Sequence, residues 1–226
     1  MSKKTGSRAF PRDPRATQER LLQAAERHFV QKGFDLARVD HIAQDAQSNK
    51  RMIYAYFGDK EGLYQAILDQ HFAGLLDRLS EAVPTPGDPR RDAEELIRVY
   101  FHFLAQNPAF VRLVSWESLR FGRQAGRRLV KDIPASLEKL FAILQRGVDQ
   151  GVFRADLDVR TLVGSVYGLC LSHFSQRDFL KRMRQEHEGH PDKSHDEHLR
   201  HILRLIFDGI LHKETPSPRP AHGAHS

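Results

Sequence analysis

The 226-residue sequence has one cysteine, Cys170, which permits no internal disulfide and no cysteine-based zinc site; such a chain suits a reducing cytoplasm. No apolar run approaches membrane-spanning length, so no membrane partner is expected. The first residues, Met1 to Arg15, are basic but no signal-peptide core follows them, and the mature chain is expected to begin near Met1. Runs of alternating β-branched residues between turn signals are missing as well, which argues against a sheet. There is no Gly-x-Ser-x-Gly elbow, His-Glu-x-x-His helix, phosphate loop or dinucleotide glycine fingerprint. Nothing in the chain forms a catalytic constellation, and neither a cofactor nor a metal is expected.

What is present is unevenly charged. The formal net charge is +6, and residues 1–60 carry 12 Lys and Arg against 7 Asp and Glu, while the rest is near balance with 23 against 22. A positive module on a near-neutral body suits an anionic partner for that module alone, nucleic acid or a membrane surface; a solvated basic tail gives the same count. An architectural DNA binder would spread its basic residues more widely.

Helical periodicity dominates and predicts an all-α chain of about nine helices. After a basic arm over 1–15, Leu21, Leu22, Ala25 and Phe29 recur at helical spacing until Gly33 stops them. Val39, Ile42, Ala43 and Ala46 form a short stripe, and Asn49 then caps another made by Ile53 and Phe57. A longer helix follows Gly58-Asp59 and ends before Pro84-Thr85-Pro86-Gly87. Apolar stretches over Leu96 to Leu104, Phe110 to Leu119, Leu137 to Val148, Leu157 to Leu171 and beyond, and Leu199 to Leu211 supply the later helices. His187 to Ser194 is expected as a loop and the Pro/His-rich end as a disordered tail. The domains predicted are an arm at 1–15, a DNA-binding domain at 16–62, a helical body at 63–213 and a tail at 214–226.

Residues 39 to 57 have the layout of a helix-turn-helix. Ala43 and Ala46 let two helices cross closely, and Ile42, Ile53 and Phe57 bury the shared side against Leu22, Ala25 and Phe29. At about 100° per residue with Ile53 inward, Arg51 and Ala55 point away, Met52 and Tyr54 flank them, and Lys50 and Tyr56 sit at the margins.

Val39-Asp40-His41-Ile42-Ala43-x-x-Ala46, followed by Ile53-Tyr54-x-Tyr56-Phe57-Gly58-Asp59-Lys60-Glu61-Gly62-Leu63, closely resembles the DNA-binding segment of the tetracycline-repressor (TetR) family of bacterial regulators. The resemblance spans about residues 18 to 65, including Ala24-Ala25, Phe29 and Gly33-Phe34. It departs at the turn, where Gln47-Ser48-Asn49 replaces a Gly-Val-Ser-like sequence, so Gln47 must take a left-handed conformation that glycine adopts without steric cost. Arg38 also stands where a capping Thr or Ser is common. The resemblance implies a ligand-responsive repressor binding a pseudo-palindromic operator as a homodimer. It makes Lys50, Arg51, Met52, Tyr54, Ala55 and Tyr56 the DNA-facing set, with Lys60 on phosphate. Arg51 can fork onto guanine, and Met52 and Ala55 can meet a thymine methyl. Tyr54 and Tyr56 suit backbone contacts, with half-buried packing the lesser alternative for each.

For the body, the family implies a dimer interface and an effector pocket. Gly164 and Gly168 lie four apart, and Leu199, Ile202, Ile206 and Ile210 form a stripe; both suit a dimer face or packing inside one chain. The candidate ligand set is Phe101, His102, Phe110, Trp116, Glu117, Phe121, Phe141, Tyr167, Cys170 and His173, for an apolar or aromatic effector, although such aromatics also make plain core. His187, His190, His195, His198 and His201 read as a solvated face rather than a zinc site. Cys170 reads as a buried hydrophobe.

Overall fold

The computed structural model of the chain describes residues 13–83, 85, 87–120, 129–185 and 194–211. The arm as far as residue 12, residues 187–193 of the expected loop and the whole of the expected tail lie outside them. Among the described residues ten helices follow one another: α1 (Pro14–Leu36), α2 (Val39–Asp45), α3 (Lys50–Phe57), α4 (Lys60–Ala82) and α5 (Pro89–Gln106) lead the order. They continue as α6 (Pro108–Arg120), α7 (Leu129–Asp149), α8 (Val159–Ser175), α9 (Arg177–Gln185) and α10 (His195–Ile210). The only extended pairing described is an isolated bridge between Phe153 and Leu211. No described helix is long and apolar enough to cross a membrane.

Local chemistry explains most of the helix starts. Asp13, Asn49, Asp59, Asp88 and Asp158 each accept a hydrogen bond from a backbone N–H in the first turn of α1, α3, α4, α5 and α8. Ser194 and Glu197 make a reciprocal capping box at α10, which therefore begins four residues before the expected Leu199. The stretch expected to continue past Leu171 breaks at Gln176 into α8 and α9, which gives one helix more than the sequence pattern suggests. Gly33, with φ at 71° and ψ at 176°, interrupts α1 at the expected stop, and a short turn continues to Leu36.

Two main apolar cores organise the helices. The first joins Leu21, Ala25 and Phe29 of α1, Ile42 and Ala43 of α2, Ile53 of α3 and Leu63, Tyr64, Ile67 and Leu68 of α4. The second joins Ala93, Ile97, Phe101, Phe103 and Leu104 on α5, Phe110, Val111 and Val114 on α6, Leu144, Phe153, Cys170 and the inner face of α10. Helix α4 serves both, with Leu63, Tyr64, Ile67 and Leu68 in the first core and Leu75 in the second. Helix α6 also serves both. Its Leu113 is fully buried in the first core.

The junction between α3 and α4 is tight. A Cβ at Gly62 would lie 2.0 Å from the Phe57 carbonyl oxygen, so only glycine fits there. The turn between α2 and α3 closes as a Schellman motif, with Gln47 N–H donating to the Gln44 carbonyl and Ser48 N–H to the Ala43 carbonyl. Gln47 occupies its left-handed position at φ 49°, the sole non-glycine residue with positive φ among those described. Replacing Gln47 with Gly removes that strain and should stabilise the fold by about 0.5 to 1 kcal/mol, the left-handed penalty less the entropy glycine loses on folding. Thermal unfolding of Gln47→Gly checks it: an unchanged or lowered Tm would show that the turn is not strained.

Candidate nucleic-acid interface

Helix α3 is short and held from three sides. Asn49 caps it through its side chain, Ile53 is buried beneath it, and Gly58 ends it at φ 80° with its N–H on the Tyr54 carbonyl. This anchoring leaves one face outward. Lys50, Arg51, Tyr54 and Ala55 are exposed, with Tyr54 at 52%. Met52 and Tyr56 are half-buried against the first core, and the Tyr56 ring meets Phe57 edge-on at 6.2 Å, so of the two tyrosines Tyr56 is the packing one.

The expected cations differ in their freedom. Lys50 pairs with Asp40 of α2 at 3.1 Å, but both side chains are largely exposed, so the pair is easily exchanged for another anion. Lys60 is turned back on its own domain: its ammonium donates to the Asp35 carbonyl at 3.3 Å and lies 4.5 Å from the Phe34 ring centroid. In this conformation it fastens the start of α4 to the end of α1.

Two residues that the sequence pattern does not single out hold the turn. Arg20 of α1 donates from Nε to the Ala46 carbonyl at 3.4 Å, and His28, itself buried, meets the Asp45 carboxylate through Nε2 at 2.6 Å. Both tie α1 to the end of α2, on which the placement of α3 depends. Their separation along the chain hides them from any local periodicity.

The described candidate effector residues have different surroundings. Phe101 and His173, both buried, stack at 5.4 Å, and Phe101 shares the second core with Cys170. Burial pushes the Cys170 thiol up to about 12, which keeps it protonated and unreactive. Tyr167 lies 6.3 Å from Tyr100, whose buried hydroxyl has no hydrogen-bond partner among the described residues and whose ionisation burial strongly opposes. Phe110 instead packs on Phe72 and Phe103, Phe141 lies under the Arg160 guanidinium at 4.8 Å, and Glu117 is buried while His102 is exposed. Phe121 lies outside the described residues.

Trp116 is in a different place altogether. It sits at the junction of the two cores, where its indole covers Gly33 and its Nε1 donates to the Val30 carbonyl at 3.4 Å. A Cβ at Gly33 would come within 3.2 Å of the ring.

Of the expected dimer residues, Ile202, Ile206 and Ile210 are buried in the second core with Leu199, because α5 and α8 pack on that side of α10. Gly164 and Gly168 are exposed and open, with no atom within 4 Å of a Cβ built on either. The reading of the later histidines as a solvated face is corrected. The Nε2 of His173 and the Nδ1 of His195 are 3.0 Å apart, the His198 ring stacks on His173 at 3.9 Å, and only His201 of those described is fully outward. His187 and His190 fall outside the described residues.

Comparison with known proteins matches this arrangement. Residues 21–67 fit the family model for bacterial regulatory proteins of the tetR family, and residues 89–206 fit the tetracyclin repressor-like C-terminal domain. The chain is 30% identical over 183 residues to the HTH-type transcriptional repressor NicS of Pseudomonas putida, covering 79% of this chain and 84% of that one. It is 37% identical over 111 residues to the repressor SCO4008 of Streptomyces coelicolor, a match covering 49% of this chain and 54% of that protein. The solved structure of the fatty acid degradation regulator FadR from Bacillus halodurans shares the fold, with a TM-score of 0.68, 17% identity and coverage of 84% of this chain and 98% of that one. With a helix-turn-helix on one core and a helical body on the other, the chain belongs to the TetR family of bacterial DNA-binding transcriptional regulators.

Proposed function

We propose that the protein is a cytoplasmic homodimeric repressor that binds a pseudo-palindromic operator and releases it when a small apolar or aromatic effector enters the body. The outward face of α3 carries this reading: Arg51, Tyr54, Ala55 and Lys50 project from a helix whose opposite side is buried. That face fits a major groove, Arg51 reading a base and Lys50 meeting phosphate once it exchanges Asp40. The printed names of NicS and SCO4008 favour repression over activation.

A two-fold site needs a dimer. The free faces of two touching helices supply a surface: Gly164 and Gly168 on α8, and on α10 Leu205, which is 55% exposed, beside Gly209. The hydroxyl of Tyr100, stacked on Tyr167 and without a partner among the described residues, favours an effector in the body, because an unsatisfied buried hydroxyl costs about 1 to 3 kcal/mol that a ligand's polar group would recover. Movement there would reach α1 through α6, where Leu113 and Trp116 touch the first domain.

Binding to DNA from the promoter beside its own gene, against scrambled duplex, tests the whole reading. Arg51→Ala should lose about 1 to 3 kcal/mol of discrimination at one base pair, whereas Lys50→Ala should weaken all duplexes alike and lower the salt slope by about one contact. Equal weakening of every duplex by Arg51→Ala would remove its base-reading role.

Gly168→Leu and Leu205→Asp should each shift the sedimentation of the protein from dimer to monomer while its helix content stays unchanged. A dimer persisting in both would move the interface elsewhere.

Adding operator should change the emission of Trp116, the one tryptophan in the chain, because it packs on the backbone of α1. An effector coupled by about 1 to 3 kcal/mol should weaken operator binding by about 5- to 150-fold. Emission indifferent to operator would show that the α1–α6 junction does not take part.

A further inference from the structure

A cleft of about 350 Å³ lies outside the body's aromatic cluster, between α1, α4 and the end of α5. This is within the roughly 300 to 1,000 Å³ of small-molecule sites. Helices α1 and α4 run antiparallel here. They touch at one end, where Phe29 meets Tyr64 at 4.9 Å and the Glu26 carboxylate meets His71 at 2.6 Å, and they part toward Glu19 and Arg78.

The wall formed by α1 has a simple pattern. Glu19, Leu22, Gln23 and Glu26 all line the cleft, the spacing that puts residues on one helix face. The two carboxylates are thus separated by two turns, about 10 Å along the axis, with an apolar side chain between them. Opposite stand Ile67 and Phe103, both buried, and Gly74, which contributes no side chain; a Cβ built there would meet nothing within 4 Å. Arg78 lines the cleft too, but its guanidinium is bonded to Gln106 at 2.6 Å and lies over the Phe103 ring at 5.5 Å. No ion pair to Glu19 is formed among the described residues.

We infer that this cleft binds a linear alkyl polyamine, its terminal ammonium groups on Glu19 and Glu26 and its methylene stem along Leu22 and Ile67. The chemistry is complementary. Glu19 offers its carboxylate, Glu26 keeps Oε1 on His71 and offers Oε2, a charged donor on each makes the stronger class of hydrogen bond, and the apolar floor accepts the stem that links them. The site is separate from the effector region of the body. Because it bridges α1 of the DNA-binding domain to α4 and α5, an occupant would fix the angle between them.

The test uses the full chain without DNA, so its outcome is independent of the operator reading. Isothermal titration with spermidine should show one site per protomer. Glu19→Gln, a change at an exposed carboxylate, should weaken binding by about tenfold or more, the loss of one charged hydrogen bond. Gly74→Leu should abolish binding by filling the cleft. Circular dichroism and thermal unfolding of both variants should match the parent, which separates loss of the site from loss of the fold. Spermidine failing to bind, or binding unchanged in both folded variants, would overturn the proposal. A protein with net charge +6 gives the polyamine little general attraction, so binding that survives both changes would have to arise at another local site.

Discussion

The structure depends on α6 belonging to two cores at once. Leu113 is buried among α1 and α4 residues of the DNA-binding domain, while Phe110, Val111 and Val114 on the same helix are buried in the body. Burying a leucine fully gives about 1.5 to 3 kcal/mol, so pulling α6 away from the first domain carries a cost comparable to a typical allosteric coupling. Tyr64 reinforces the contact through its hydroxyl on the Leu113 carbonyl, and Trp116 closes it over Gly33. The angle of the recognition helix is therefore tied to the body through packed side chains rather than through a free linker.

The helix-turn-helix itself is held by a second constraint, the fixing of its turn from α1. A glutamine in the left-handed position weakens the turn locally, and the family's usual glycine would avoid that strain. Arg20 and His28 act on the neighbouring residues Ala46 and Asp45. A contact to a charged group contributes about 1.5 to 3 kcal/mol, enough to offset one strained residue. Turn geometry here is thus secured by tertiary contacts from a helix formed much earlier in the chain.

Much of this was legible without coordinates. The apolar spacing of Leu21, Ala25 and Phe29, the short stripes around Ile42 and Ile53, the Asn49 cap and the left-handed Gln47 all follow from rules acting within a few residues. The same spacing leaves Arg51 and Ala55 outward. It could not separate Tyr54 from Tyr56, because both lie at the edge of the buried arc and only the neighbouring Phe57 and the first core decide which one packs.

The sequence by itself determined the helical class, the helix-turn-helix, its outward face and the burial of Cys170, since periodicity and side-chain chemistry set which residues share a face. Tertiary structure decided what each face meets. The stripe through Ile202, Ile206 and Ile210 is apolar whether it covers a second chain or its own core, and only the approach of α5 and α8 assigns it to the interior. Trp116 could line a pocket or cover a backbone, and only the glycine at position 33 gives its indole a surface to rest on. Lys60 carries the same charge in either role, but Phe34 and the Asp35 carbonyl draw it inward. In each case the side chain's chemistry fixes what it can bind, while residues distant in sequence fix what lies within its reach.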